Sequence, residues 1–244
     1  MSDSEPQRSA RDTILARVRE ALAEPAPLPH LAHAPAPPAG GLAILPAEAA
    51  RPWLPDGGDT PDERMRILVD NLGRLRAAVH RVPDLTAATE LVFAVARERD
   101  WKRVAYHDHP LVVPLLAGVP CATHGVDGAA AHGTAAAKDA LEACDAGISA
   151  CEALVSQTGS ILVSSATCGG RGLSVVPHVH LVIATADQIV ATLADALALV
   201  RRRHSGALPS MLSFITGPSR TGDIERILVL GAHGPRELVV VIVG

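Results

Sequence analysis

Two segments, Leu181-Val182-Ile183 and Val239-Val240-Val241-Ile242-Val243, are apolar at every successive residue. A strand with one wet face alternates apolar and polar side chains, so an unbroken run needs cover on both faces, as in the parallel sheet of an α/β protein. Strand candidates at Arg103–Tyr106, Ala153–Ser156, Ser160–Ser164, His180–Ala184, Met211–Thr216 and Leu238–Val243 are interleaved with helical stretches at about Ala137–Ala146 and Asp187–Arg203. The expected fold class is therefore α/β, a sheet with helices on both faces.

The first quarter of the chain reads differently. Residues 10–23 put Ile14, Leu15, Val18 and Leu22 on one helical face. Ten of the 19 prolines then fall between Pro25 and Pro61. Such density forbids helix and inner strand, so this stretch is an extended arm, with Trp53 and Leu54 expected to tether it. Thr60-Pro61-Asp62-Glu63 is a capping box with Pro at the first helical position. It opens a helix expected to run to about Arg81 on the stripe Met65, Leu68, Val69, Leu72, Leu75 and Val79. A second helix is expected from about Thr86 to Arg99. The chain thus divides into a helix and Pro/Ala-rich arm, 1–60, and an α/β domain, 61–244.

Composition narrows the function. Only five of the 244 residues are aromatic while 42 are alanine, so a base-stacking platform is not expected. The net charge of −4 argues against a duplex-DNA footprint, and no nucleic-acid partner is assigned. No apolar run reaches membrane-spanning length, and the polar start MSDSEPQRSARD lacks a signal-peptide core. Cys121, Cys144, Cys151 and Cys168 contain no CxxC, so neither a zinc pair nor an iron–sulfur ligand set is expected. They read as small buried hydrophobes in a reducing cytoplasm, and no cofactor is assigned.

Several segments could hold chemistry. Met211–Thr216 is read as a buried strand running into Gly217-Pro218-Ser219-Arg220-Thr221-Gly222-Asp223-Ile224-Glu225, with a tight glycine turn and the start of a short helix. Ligands in α/β sheets bind at strand carboxyl ends. The hydroxyls of Ser219 and Thr221 and the fork of Arg220 suit a carboxylate or phosphate. Alternatively, Ser219 caps the helix and Arg220 pairs with Asp223 or Glu225. Ser156-Gln157-Thr158-Gly159-Ser160 is a turn or a ligand-facing polar segment. Arg171 sits among Gly169, Gly170 and Gly172 in a loop whose backbone can approach a ligand. His178 and His180 are expected to point apart, one packed and one at the sheet end. His107-Asp108-His109 with His124 and His132 could suggest a metal, but nothing fixes a ligand set and none is assigned. Gly231-Ala232-His233-Gly234-Pro235 is read as a turn with an exposed His. No GxSxG or HExxH is present, so a standard hydrolase has no support.

GPSRTGDIE at 217–225 with GAHGP at 231–235, preceded by SQTG at 156–159 and PHVH at 177–180, resembles the LUD-domain family in its lactate-utilization C branch. The likeness spans roughly residue 60 to the end. It implies a three-layer fold like that of NagB, RpiA and the CoA transferases. It also implies a part in bacterial oxidation of L-lactate to pyruvate, as one component of three. The others would be an iron–sulfur sister subunit and a larger subunit with a ferredoxin-like and a LUD domain. By analogy with CoA transferases, Gln157 stands where a nucleophilic Glu would be, and a neutral amide cannot form the acyl anhydride.

Two functional readings follow. In the first, the chain is the component without iron–sulfur clusters, binding a substrate carboxylate through Arg220, Ser219 and Thr221, or docking the iron–sulfur partner. His178, His180 or His233 would accept the hydroxyl proton. In the second, it is a self-sufficient isomerase- or ligase-like enzyme on a small phosphorylated or carboxylated metabolite, with Asp223 or Glu225 as base. A scaffold that grips a neighbour through residues 1–60 is a third, structural reading.

Overall fold

A computed structural model of the chain describes residues 10–23, 55–117, 119–126, 135–222, 228–230 and 234–244. Two units are distinguished, Met1–Arg51 and Pro52–Gly244. In the first, helix α1 (Ala10–Ala23) forms where the apolar spacing places it, with Ile14, Leu15 and Val18 exposed. The arm up to Leu54, including the expected Trp53–Leu54 tether, lies outside the described residues.

The second unit is α/β. Strands β1 (Ala78–Val82), β2 (Arg103–Tyr106), β3 (Ala122–Gly125), β4 (Ala146–Ser149), β7 (Val179–Thr185) and β12 (Glu237–Val243) form an all-parallel sheet. Their order is β1-β12-β7-β4-β2-β3. The chain leaves β2 outward to β3 and leaves β4 inward toward β7. The crevice outside the carboxyl ends of β2 and β4 is therefore the topological switch point. A second sheet holds β5 (Ala153–Val155), β6 (Ser160–Ser164), β8 (Ile189–Val190) and β9 (Leu212–Ile215), in the order β8-β5-β6-β9.

The two continuous apolar runs lie at the centre of the parallel sheet. Successive β12 residues split between its faces. Val239 and Val241 pack with Ala88, Val92 and Val95 of α3 (Leu85–Glu98) and Leu115 of α4 (Val113–Leu116). Leu238, Val240 and Ile242 pack with Met65, Leu68 and Leu72 of α2 (Pro61–Arg74), Leu141 of α5 (Ala135–Glu142), and Leu154, Ile161 and Val163 of the second sheet. The far side of that sheet, Ala153, Val155 and Leu162, is covered by Ala196 and Val200 of α7 (Leu193–Arg203). Cover on both faces is thus realised, with a second sheet providing part of it. No described helix is long and apolar enough to cross a membrane.

Several expected boundaries differ. The capping box of Thr60 and Glu63 is present, but α2 stops at Arg74 and Val79 belongs to β1. Arg76 adopts φ 65°; its N–H bonds Gly73 O (2.9 Å) and that of Ala77 bonds Leu72 O (2.9 Å), a Schellman stop without glycine. α3 ends the same way, with Asp100 at φ 53°. The helix expected to reach Ala146 ends at Glu142, and Ala146 opens β4. Asp187–Arg203 is not one helix: a 3₁₀ turn (Ala186–Gln188) and β8 precede α7, which starts at a capping box of Thr192 and Asp195. Met211–Thr216 is not a buried strand either, because β9 is an edge with Phe214 exposed. No helix starts among the described residues 217–222; β10 (Arg220–Gly222) pairs antiparallel with β11 (Leu228–Leu230). The short helix α6 (Ser165–Cys168) follows β6.

Candidate functional site

Four of the segments singled out in the sequence, at 156–159, 217–220, 234–235 and 178, meet at the amino edge of the parallel sheet, beside Leu75 at the end of α2, whereas Gly169 of the Arg171 loop lies against His107, after β2, at the carboxyl edge. In the turn between β5 and β6, Gly159 adopts φ 65°, and a Cβ there would stand 3.0 Å from both Asn71 Cβ and Leu75 Cδ1. Only glycine gives the chain both that dihedral and that approach. Asn71 Nδ2 donates to Ser156 O (2.8 Å) and Gln157 O (3.3 Å), fixing the turn to α2. The amide of Gln157, itself buried, donates to Pro55 O at 2.8 Å. Thr158, Ser160 and Thr216 link hydroxyl to hydroxyl at 2.7 Å each, tying the turn to the end of β9.

From there the chain reaches Gly217, at φ 93°, where a Cβ would lie 3.2 Å from Leu75 Cβ and O. Arg220, exposed at the start of β10, donates through Nη2 to Leu75 O. Ser219 N–H donates to Pro235 O (2.8 Å), and a Cβ on Gly234 would lie 3.2 Å from Ser219 Cβ. The next residue, Arg236, donates its N–H to His178 O at 2.8 Å. The four segments are therefore stitched together mainly through backbone groups. His178, Arg171, Arg220 and Arg236 are exposed. Thr221 continues β10, paired with Val229. Asp223, Glu225 and His233 lie outside the described residues. This neighbourhood sits where β7 and β12 begin, so Gly217 follows an edge strand of the second sheet and not a carboxyl end of the parallel one.

His178 and His180 do separate, for a reason other than strand alternation. Two-residue spacing within a strand keeps side chains on one face, but β7 starts only at Val179, leaving His178 in the loop. His180 is fully buried, with Nε2 2.9 Å from Ser149 Oγ and, among the described residues, no partner on Nδ1. Burial alone pushes its pKa down to about 4. The loop after Arg171 presses on its neighbour: a Cβ on Gly147 would meet Leu173 O at 2.6 Å.

A second polar cluster occupies the opposite, carboxyl edge of the sheet. Glu152, 1 % exposed, follows β4 and accepts from Ser164 Oγ (2.7 Å), Arg203 Nη1 (2.7 Å) and His204 Nε2 (2.9 Å). Burial pushes its pKa up, but those three hydrogen bonds outweigh it and hold the carboxyl below its ordinary value. Across the crevice, His107 Nε2 lies 2.9 Å from Ala166 O, and His109 Nδ1 accepts from Leu111 N–H at 3.2 Å. Burial lowers the His109 pKa, and the charge of His107 lowers it further. Among the described residues no three His, Cys, Asp or Glu side chains are grouped to hold a metal ion. Sequence reasoning passed over Glu152, Arg203 and His204. The available signal was that Glu152 is the only charged residue between Ala146 and Ser164. A carboxylate inside so apolar a stretch needs partners.

Comparison with known proteins identifies the relationship. The family model of the LUD domain matches residues 65–243. Lactate utilization protein C of Deinococcus radiodurans is 37 % identical over 105 residues, 43 % of this chain and 49 % of that protein. Its counterpart in Geobacillus kaustophilus is 31 % identical over 107 residues, 43 % of this chain and 45 % of that protein. The Bacillus subtilis counterpart is 31 % identical over 104 residues, 42 % and 43 % of the two chains. The matched stretch thus spans about half of each of these relatives or less. The crystal structure of a DUF162 family protein from Deinococcus radiodurans shares the fold, with a TM-score of 0.57 and 24 % identity, over 77 % of this chain and all of that one. With the family model matched across both sheets, the chain belongs to the LUD domain family.

Proposed function

We propose that the chain is the component without iron–sulfur clusters of a bacterial L-lactate utilization system, and that its amino-edge face docks the iron–sulfur sister subunit. The reading is supported by the relatives, which are lactate utilization C proteins. It is also supported by the four cysteines, which lack cluster spacing and are all free thiols. Electrons from lactate then have to pass to a partner.

One observation carries the assignment of the face. The inward-facing donors of these loops are already engaged: Gln157 on Pro55, Ser219 N–H on Pro235 and Arg220 on Leu75. What faces outward is a set of exposed basic heads, Arg236, His178 and the remainder of the Arg220 guanidinium. Exposed arginines on a rigid surface suit an acidic protein patch, where charge sets the encounter rate and register. Co-purified chain and sister subunit, measured by biolayer interferometry, test this. Arg220→Glu with Arg236→Glu is expected to weaken binding by about tenfold or more and to remove its salt dependence. Unchanged affinity in the double variant would refute the assignment of this face.

A further inference from the structure

At the opposite edge of the sheet, Arg203 and His204 leave α7 side by side and rest on one buried carboxylate. We propose that Arg203 and His204, seated on Glu152 just before β5, form a binding site for a small 2-hydroxy carboxylate. The site shares no residue with the docking face and stands whichever partner that face meets.

The argument starts from Glu152. One oxygen takes Arg203 Nη1 and the other takes His204 Nε2, so the guanidinium and the imidazole lie next to each other. Ser164 Oγ donates to the same carboxylate and fixes it from below. Both heads remain open on their other side, the Arg203 side chain 44 % and that of His204 20 % exposed. Among the described residues, nothing hydrogen-bonds Arg203 Nε or Nη2, or His204 Nδ1. A planar guanidinium with an open pair of N–H groups matches a carboxylate. With Nε2 donating to Glu152, a neutral His204 presents Nδ1 as an acceptor, the arrangement of a carboxylate-oriented histidine. A ligand hydroxyl one carbon from the bound carboxylate would donate to that nitrogen. His109 follows β2 on the same, carboxyl side: Leu111 N–H occupies Nδ1, which places the ring proton on Nε2. The charges of Glu152 and Arg203 act on it in opposite senses.

The test uses the full chain with isotope-labelled histidine, titrated with L-lactate, propionate and 1,2-propanediol. L-lactate is expected to shift the ring signals of His204 and His109 and to leave His178 unmoved. Propionate, lacking the hydroxyl, is expected to bind about tenfold more weakly, and propanediol, lacking the carboxylate, weaker still. Arg203→Lys keeps a cation on Glu152 but loses the fork, with an expected affinity loss of about tenfold or more. Should that variant fail to fold, His204→Asn is expected to erase the preference for lactate over propionate. Absence of a His204 shift at saturating lactate, equal affinity for lactate and propionate, or a shift confined to His178 would overturn the proposal.

Discussion

His180 makes the stability of this protein depend on pH in a defined window. The ring is fully buried, is reached by no charge of opposite sign, and has a native pKa of about 4 against 6.5 for the ordinary group. The unfolded chain therefore takes up a proton at a higher pH than the native one. Native stability is full above the unfolded pKa and falls as pH drops from about 6.5 through about 4. At about 1.4 kcal/mol per unit, the whole loss is about 3 kcal/mol, with about 2 kcal/mol gone by pH 5. Urea unfolding of the unaltered chain and of His180→Gln between pH 7 and pH 4 isolates this term, because the other histidines cancel in the difference. The glutamine can still bond Ser149 Oγ but does not titrate. The unaltered chain is expected to lose about 2–3 kcal/mol more than the variant over that range. Parallel stability curves, or a His180 ring titrating near its ordinary value by NMR, would refute the reasoning.

Three other outcomes follow from packing and chemistry elsewhere. Gly147→Ala drives a methyl to within 2.6 Å of Leu173 O, and calorimetry is expected to show a destabilisation of about 1–3 kcal/mol. Asn71→Ala removes the donor to the carbonyls of Ser156 and Gln157, with an expected cost of about 1–3 kcal/mol in urea unfolding. In the native protein, Cys121 is expected to be the first thiol to react with Ellman's reagent. It is the one partly exposed cysteine, whereas burial pushes Cys151 up to about 12 and Cys168 up to about 11; a second fast thiol would contradict this.

What could be read from the sequence was what local pattern controls. β7 and β12 are central strands covered on both faces, and that burial writes itself as unbroken apolar runs. The start of α2 was equally plain, since its capping box is local chemistry. The end of α2 was not, because Arg76 takes the left-handed position that glycine usually marks, whereas α3, expected to stop at about Arg99, does stop at Glu98. β3, β4 and β8 were missed for a related reason: Ala122–Gly125 and Ala146–Ser149 are made largely of small residues, and Ile189–Val190 is only two residues long. Such segments become strands through their neighbours and not through propensity. The convergence of the Gly159, Gly217, Gly234 and His178 segments on Leu75 depends on pairings between distant parts of the chain, which spacing cannot reveal. The same holds for Arg203 and His204, 51 and 52 residues from Glu152.

The most direct measurement is L-lactate oxidation to pyruvate in a reconstituted mixture of this chain, its iron–sulfur sister subunit and the larger LUD-type subunit, with each omitted in turn. Pyruvate is expected from the complete mixture, none from this chain alone, and a strong loss of rate when this chain is left out. Turnover by this chain alone, or an undiminished rate without it, would contradict the account.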